Sequence, residues 1–214
     1  MIYKFKSEHT MTPYAPSYDY TIAQFVWDES DKIDTIRNFL LSKEKDILKL
    51  DFNSDGGTGL DNSSITTRHS NYNVFDYGKE EPELNDLLEF MKKSWWDYIK
   101  QDDTQDFALQ INSWFNVLRK GQKMNYHNHN SSCGAYLSGN MHLDDYHTKT
   151  NYSYMNVHCP IDNVKGGLVL FPSVISHGTD VYNGEEPRVS IAFDLECTFL
   201  ENPESTAQTR TFIE

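Results

Sequence analysis

The sequence predicts a mainly β domain with flanking helices, an eight-stranded jelly roll of the cupin kind with N-terminal helices packed on its outside. Three observations lead there. The hydrophobic period changes from that of a helix to two at Leu109. Beyond that point eight short apolar-alternating stretches follow one another, with turn residues between them. Before it lie two amphipathic helical stripes separated by a Gly/Asn/Asp/Ser-rich segment. The 214 residues suit one domain, divided into a helical and loop flank over 1–108, a β core over 109–199 and a tail over 200–214.

Residues 1–29 read as irregular or strand-like, with Tyr14, Tyr18, Tyr20, Pro13 and Pro16. A first helix is expected from Ser30 or Asp31, either of which can cap the stripe of Ile33, Ile36, Phe39 and Leu40. The segment 51–80, with Asp55-Gly56-Gly57-Thr58-Gly59, lacks the lysine and following helix of a phosphate loop and is expected to be surface. Arg68 and His69 face either the active site or the solvent, and the solvent reading is preferred because nothing nearby marks a site. A second helix is expected from Pro82 to about Gln101, with Pro82 suited to its first turn. Leu84, Leu87, Leu88, Met91, Trp95, Tyr98 and Ile99 recur at i, i+3, i+4 and i+7, a stripe for burial against a sheet. The eight candidate strands are 109–119, 123–129, 132–139, 140–147, 152–158, 166–172, 175–182 and 187–199. On the first, Asn112, Trp114 and Asn116 share a face and are candidates to line a cavity.

Composition narrows the function. A net charge of −13 argues against nucleic acid or an anionic membrane as a bulk electrostatic partner. Thirteen Tyr, twelve Phe and four Trp supply a large core. Cys133, Cys159 and Cys197 are too few and too scattered for a disulfide framework or a zinc ribbon, so reduced thiols in a cytoplasmic setting are expected. No apolar leader or membrane-length run is present in the sequence, and whether it works as a monomer or a homodimer is left open.

The chemistry concentrates between Tyr126 and Ser190. His127 and His129, two apart on an extended chain, present both imidazoles to one side. His177 follows the Gly166-Gly167-Leu168-Val169-Leu170-Phe171-Pro172 stretch, and Arg188 and Ser190 lie on one face of the last strand. Asn183-Gly184 signals a two-residue hairpin; pairing Tyr182 with Glu185 would set His177 opposite Ser190. A rival set, His142-Leu143-Asp144, leaves room for only two strands before His177. Four strands fit between His129 and His177, the spacing that the family resemblance given next implies for ligands on the second and seventh strands.

His-x-His, Gly-Gly-x-x-x-Phe-Pro, the distal His177 and Arg188-x-Ser190 together resemble the Fe(II)- and 2-oxoglutarate-dependent oxygenases on a double-stranded β-helix. The likeness is greatest to the small prolyl-hydroxylase-like group found in marine phages and bacteria, and it spans about Phe107 to Phe199. It implies Fe(II) held by His127, His129 and His177, and 2-oxoglutarate held by Arg188, Ser190 and Tyr136. It also implies hydroxylation of an amino-acid, peptide or small-molecule substrate, with Trp114 and Asn116 as possible pocket residues. Where that superfamily carries His-x-Asp or His-x-Glu, this chain has His129, so three neutral imidazoles would leave the ion its full +2 charge. A three-histidine dioxygenase that uses no 2-oxoglutarate, and a jelly-roll binding module without a metal, remain as alternatives.

Overall fold

The computed structural model describes residues 1–6, 19–99, 108–129, 135–154, 157–198 and 211–213. Pro13, Tyr14, Pro16, Tyr18, Gln101, Cys133, Phe199 and most of the tail therefore lie outside the described residues. In chain order the elements are β1 (Ile2–Phe5), β2 (Tyr20–Val26), α1 (Ser30–Ile47), α2 (Glu83–Ile99), β3 (Ala108–Leu118), β4 (Ala135–His142), β5 (Lys149–Tyr154), β6 (Val157–Asp162), β7 (Gly167–Pro172), β8 (Ser176–Thr179), β9 (Arg188–Thr198) and β10 (Thr211–Ile213). Two 3₁₀ turns, Ile65–Arg68 and Val74–Lys79, stand between the helices.

The strands form two antiparallel sheets. The larger runs β1-β2-β7-β4-β9-β3-β10 and the smaller β6-β5-β8. This is the jelly roll the alternation predicts, with helices against its outer face. The buried stripe of α2 (Leu84, Leu87, Met91, Trp95, Tyr98, Ile99) and that of α1 (Ile33, Ile36, Leu40, Ile47) share one core with Ile111, Phe115, Leu168 and Phe193 of the large sheet. The Trp95 and Phe193 rings sit 5.4 Å apart at that junction. Each such side chain contributes about 1.5–3 kcal/mol on burial, which is why the stripe of α2 fixes its place. A second core, with Ile22, Tyr152, Ile161, Val169 and Phe171, fills the space between the sheets.

Several boundaries differ from the sequence reading. The segment read as flank supplies β1 and β2 to the large sheet, and β10 from the tail pairs with β3. The candidate strands 132–139 and 140–147 become the single β4, while 152–158 spans the end of β5 and the start of β6. The stretch 123–129 is no strand; it lies along β8 with a single bridge, His127 with His177, and a further backbone bond from Thr179 N–H to Met124 O (3.1 Å). α1 starts at Ser30 itself, behind Glu29, whose side chain makes no capping bond.

The expected Asn183-Gly184 hairpin does not form. β8 and β9 belong to different sheets, and His177 pairs with Tyr152 of β5, whereas Ser190 pairs with Asn116 and His142. Tyr182 exchanges backbone bonds with Gly121 and Gln122 instead of meeting Glu185. Gly184 also lacks the positive φ that a type I′ turn demands. Residues 180–187 are a crossing from one sheet to the other. Pro187, at its end, stands just outside the ladder in which it could not donate.

Gly166 shows how tightly the entry to β7 is made. Its φ is +73°, its N–H donates to His142 O (2.9 Å), and its carbonyl accepts from Trp27 N (2.9 Å). A Cβ there would stand 2.2 Å from the Trp27 carbonyl oxygen. Gly121 has a similar φ of +84° with nothing within 4 Å of a built Cβ. Gly166→Ala should therefore cost more than Gly121→Ala, which carries only the backbone strain of about 1–3 kcal/mol. Urea midpoints of the two variants measure the difference; equal losses would mean the contact with Trp27 does not matter.

Candidate metal and anion site

The space between the two sheets opens into a cavity of about 230 Å³. Three neighbouring strands of the large sheet pave one wall by the period of two. β3 gives Trp114 and Asn116, β9 gives Arg188, Ser190, Ala192 and Asp194, and β4 gives Asn140. The small sheet gives Thr150, His177, Gly178 and Thr179 from across the gap. His127 and His129 enter along the edge of β8.

Two reciprocal backbone bonds set the histidines. His127 N donates to His177 O (3.0 Å) and His177 N to His127 O (2.8 Å). Opposed residues of such a pair project their side chains to the same side. His129, two residues on, faces the same way and is tied down by its N–H to Ser173 O (3.0 Å). One ring nitrogen of each histidine lies within 4.8 Å of the others, the only such group of metal-type donors among the described residues.

The second ring nitrogen of each is already engaged. Nδ1 of His127 reaches Asn125 O (2.9 Å), Nδ1 of His177 reaches Ile175 O (3.4 Å), and Nδ1 of His129 reaches Asp194 Oδ1 (2.6 Å). Carbonyl and carboxylate oxygens only accept, so Nδ1 carries the proton in each ring and Nε2 keeps its lone pair for a metal. Burial, with the neighbouring His129 next, pulls the His127 pKa down to about 4. Burial, then His129 and His127, hold His177 well below the usual value. Both rings are thus neutral and ligand-ready at pH 7.

Arg188 is the second feature of the cavity. It is 2% exposed, and among the described residues its Nε has no hydrogen-bond partner and no carboxylate pairs with it. Tyr146, Tyr152 and Tyr182 stand around it, with the Tyr146 ring 5.7 Å away. Desolvation lowers its pKa to about 10, which leaves it cationic. Glu185, a candidate surface partner, is bound to Lys120 instead. Ser190 follows on the same face, 3% exposed. A buried guanidinium without a carboxylate is a costly arrangement unless an anion completes it.

Trp114 and Asn116 do reach the cavity. The Trp114 ring lies between His129 (5.5 Å) and His69 (5.6 Å), and Asn116 Oδ1 accepts from Thr66 Oγ1 (2.8 Å). Tyr136 does not. A one-residue irregularity between Ala135 and Leu137 turns it toward the core shared with the helices. Tyr152 is one of the three tyrosines around Arg188, and its buried hydroxyl comes near Asn140 without a well-formed hydrogen bond. The rival set also fails. His142 is buried beside Arg188 with neither nitrogen bonded, while Asp144 lies 3.8 Å from Arg37.

Other parts of the site were not legible. The Asp55 loop is no free surface: Ser54, Asp55, Gly56 and Thr58 line the cavity, and a Cβ on Gly57 would lie 3.3 Å from that of His127. Asp55 accepts from Gly57 N (3.1 Å) and Gly59 N (3.2 Å), which shapes the loop. His69, read as surface, lines the cavity as well. Arg68 is buried and binds the carbonyls of Leu48, Leu50, Asn62 and Ser64, a structural brace. Asp194 was readable as sharing a face with Ser190, but nothing local in the sequence joins it to His129.

Residues 140–194 match the family described as "Putative 2OG-Fe(II) oxygenase". No curated protein is significantly similar in sequence. Among solved structures, a prolyl hydroxylase from Trichoplax adhaerens in complex with a hypoxia inducible factor oxygen degradation domain peptide fragment is 11% identical. The match covers 82% of this chain and 83% of that one, with TM-score 0.51. The viral collagen prolyl hydroxylase of Paramecium Bursaria Chlorella virus-1, a 2OG complex, is 10% identical over 83% of this chain and 96% of that one, TM-score 0.53. Of a 2OG-Fe(II) oxygenase family oxidoreductase from Burkholderia pseudomallei the chain spans about half (47%), with 43% of this chain covered, 11% identity and TM-score 0.40. The likeness to the two hydroxylases establishes a shared double-stranded β-helix.

The buried histidines have a consequence for pH. His127, His142 and His177 are held neutral in the fold but take a proton near pH 6.5 when unfolded. The unfolded chain therefore binds more protons below about pH 6.5, and stability falls as pH drops from there toward 4. Each such group contributes up to about 1.4 kcal/mol per pH unit. Metal-free protein unfolded in urea at pH 7, 6 and 5 should show this fall, and His142→Phe should lessen it. An unchanged slope in that variant would mean His142 is not held neutral.

Proposed function

From the family match over residues 140–194 and the shared fold we propose that the chain is a 2OG-Fe(II) oxygenase whose cavity holds Fe(II) and 2-oxoglutarate together and hydroxylates an amino-acid, peptide or small-molecule substrate, with succinate and CO2 as co-products. The observation that carries the reading is the buried Arg188, with no carboxylate facing it among the described residues, in the same cavity as three imidazoles.

The donor set fits the ion. Nε2 of His127, His129 and His177 would bind it on one face, each ring fixed by the acceptor on its Nδ1. Arg188 would take the far carboxylate of 2-oxoglutarate through its planar fork, with the Ser190 hydroxyl as a further donor. Tyr136, turned to the helix-side core, takes no part in this reading. Bound iron with its co-substrate supplies the oxidising chemistry; the chain supplies orientation and a dry wall. A dioxygenase that uses no 2-oxoglutarate would leave Arg188 without a task.

For the substrate, the Asp55 loop, His69 and Trp114 form the polar rim nearest the histidines. The peptide in the Trichoplax adhaerens complex is the reason a peptide stands among the candidates. Pocket chemistry of this kind also suits a small polar molecule.

Anaerobic titration followed by 2-oxoglutarate turnover tests the division of roles. His177→Ala should lose iron affinity outright. Arg188→Met should keep iron and lose 2-oxoglutarate, by about 2–5 kcal/mol for truncating one side of a buried charge pair. Iron loss in Arg188→Met, or undiminished succinate formation, would refute the assignment of Arg188.

A further inference from the structure

We propose that Asp194 takes the place of the carboxylate missing from the ligand set, delivering its negative charge to the metal through His129 rather than by binding the ion itself. The inference rests on the metal-centre reading above. A set of two histidines and one carboxylate brings one negative charge to a divalent ion; three imidazoles bring none. Here the Asp194 carboxylate lies on the far side of one of those imidazoles, Oδ1 at 2.6 Å from His129 Nδ1. That is the shortest of the three outer contacts, and the only one of the three made to a charged group; His127 and His177 lean on backbone carbonyls.

The carboxylate is held for the task. Oδ1 also accepts from Ser138 Oγ (2.6 Å), directly across from it on β4. Ser138 Oγ lies 2.9 Å from Ser173 Oγ. The single Ser138 proton goes to a group that only accepts, so Ser173 must donate to Ser138. Ser173 in turn uses its carbonyl to accept His129 N–H. The chain Ser173–Ser138–Asp194–His129 thus closes on itself, fixing both the carboxylate and the ring it faces. Asp194 is a positioning residue with a charge: it locks Nδ1–H, aims Nε2, and makes the imidazole a more basic donor. The segment matched to the oxygenase family ends on Asp194 and does not contain His129.

A four-protein comparison tests this: wild type, Asp194→Asn, His129→Asp and His129→Asp/Asp194→Asn, each titrated anaerobically with Fe(II) alone. In the wild-type background Asp194→Asn should weaken iron binding about 10–100-fold. In the His129→Asp background the loss should largely disappear, because no imidazole is left at 129 for Asp194 to orient and polarise. Wild-type affinity in Asp194→Asn, or an equal loss in both backgrounds, would overturn the proposal, the second outcome marking a merely structural role. Zn(II)-loaded wild type gives an independent reading by NMR. A slowly exchanging His129 Nδ1 proton is expected, and its absence would overturn the proposal without any variant. Failure of the metal-centre reading looks different: His177→Ala and His129→Ala would then bind iron like wild type.

Discussion

The site depends on one pair of backbone hydrogen bonds, between His127 and His177. They join a stretch from the β3–β4 connection to β8 and thereby place two imidazoles from residues fifty apart on one side of a shared ladder. His129 follows by the period of two. The close approach depends on the residue after His177: a Cβ on Gly178 would lie 3.0 Å from Met124 O and 3.1 Å from Tyr126 N. A glycine there lets the incoming strand lie flat against β8. The metal-binding geometry is therefore a property of strand pairing, set before any ion arrives, and the ring torsions are finished by one acceptor apiece.

Charge is distributed against the grain of the whole chain. The net charge is −13, yet the cavity interior holds one permanent cation and three imidazoles, with Asp194 and Asp55 as its lining carboxylates. Asp194 is turned to His129, and Asp55 is occupied by the amides of its own loop. Neither neutralises Arg188. The bulk acidity sits on the surface, where it sets solubility and discourages nucleic acid. The inside is arranged for a small anion, and in a medium of low dielectric a single guanidinium outweighs many solvated carboxylates.

What could be read from the sequence was parity; what could not was partnership. His127 and His129, Trp114 and Asn116, and Arg188 and Ser190 each share a face because the period of two is local. Helix α2 was equally legible, since its stripe has one way to be buried. Sheet order is not local, and Asn183-Gly184 suggested a hairpin where the chain crosses between sheets. Tyr136 shows the limit most sharply. By parity it should share the cavity face with Ser138 and Asn140, but the one-residue irregularity before Leu137 sends it to the opposite face. No propensity at Ala135-Tyr136-Leu137 announces that shift. The Asp55 loop was unreadable for another reason. Its glycines and polar residues suit a solvated loop and a cavity wall alike, and only the three-dimensional packing against His127 separates the two.

The two halves of the chain divide the labour in a way the architecture explains. The groups proposed to hold iron and 2-oxoglutarate stand on, or pair with, strands whose positions are fixed by cross-strand bonds on both sides. The rim comes from the segment before β3: the Asp55 loop, capped by its own carboxylate, and the 3₁₀ turn ending at Arg68, whose guanidinium ties four carbonyls of that segment together. A rim braced internally in this manner can change its side chains without disturbing the ladder that holds the histidines. The two parts meet at several places: Thr66 bonds Asn116, His69 lies against Trp114, Asn125 N–H donates to Thr58 O (2.8 Å), and Gly57 packs on His127. Trp114 is one of these joints: its ring lies 5.6 Å from His69 and 5.5 Å from His129, and at 6% exposed it is packed too tightly to move without both.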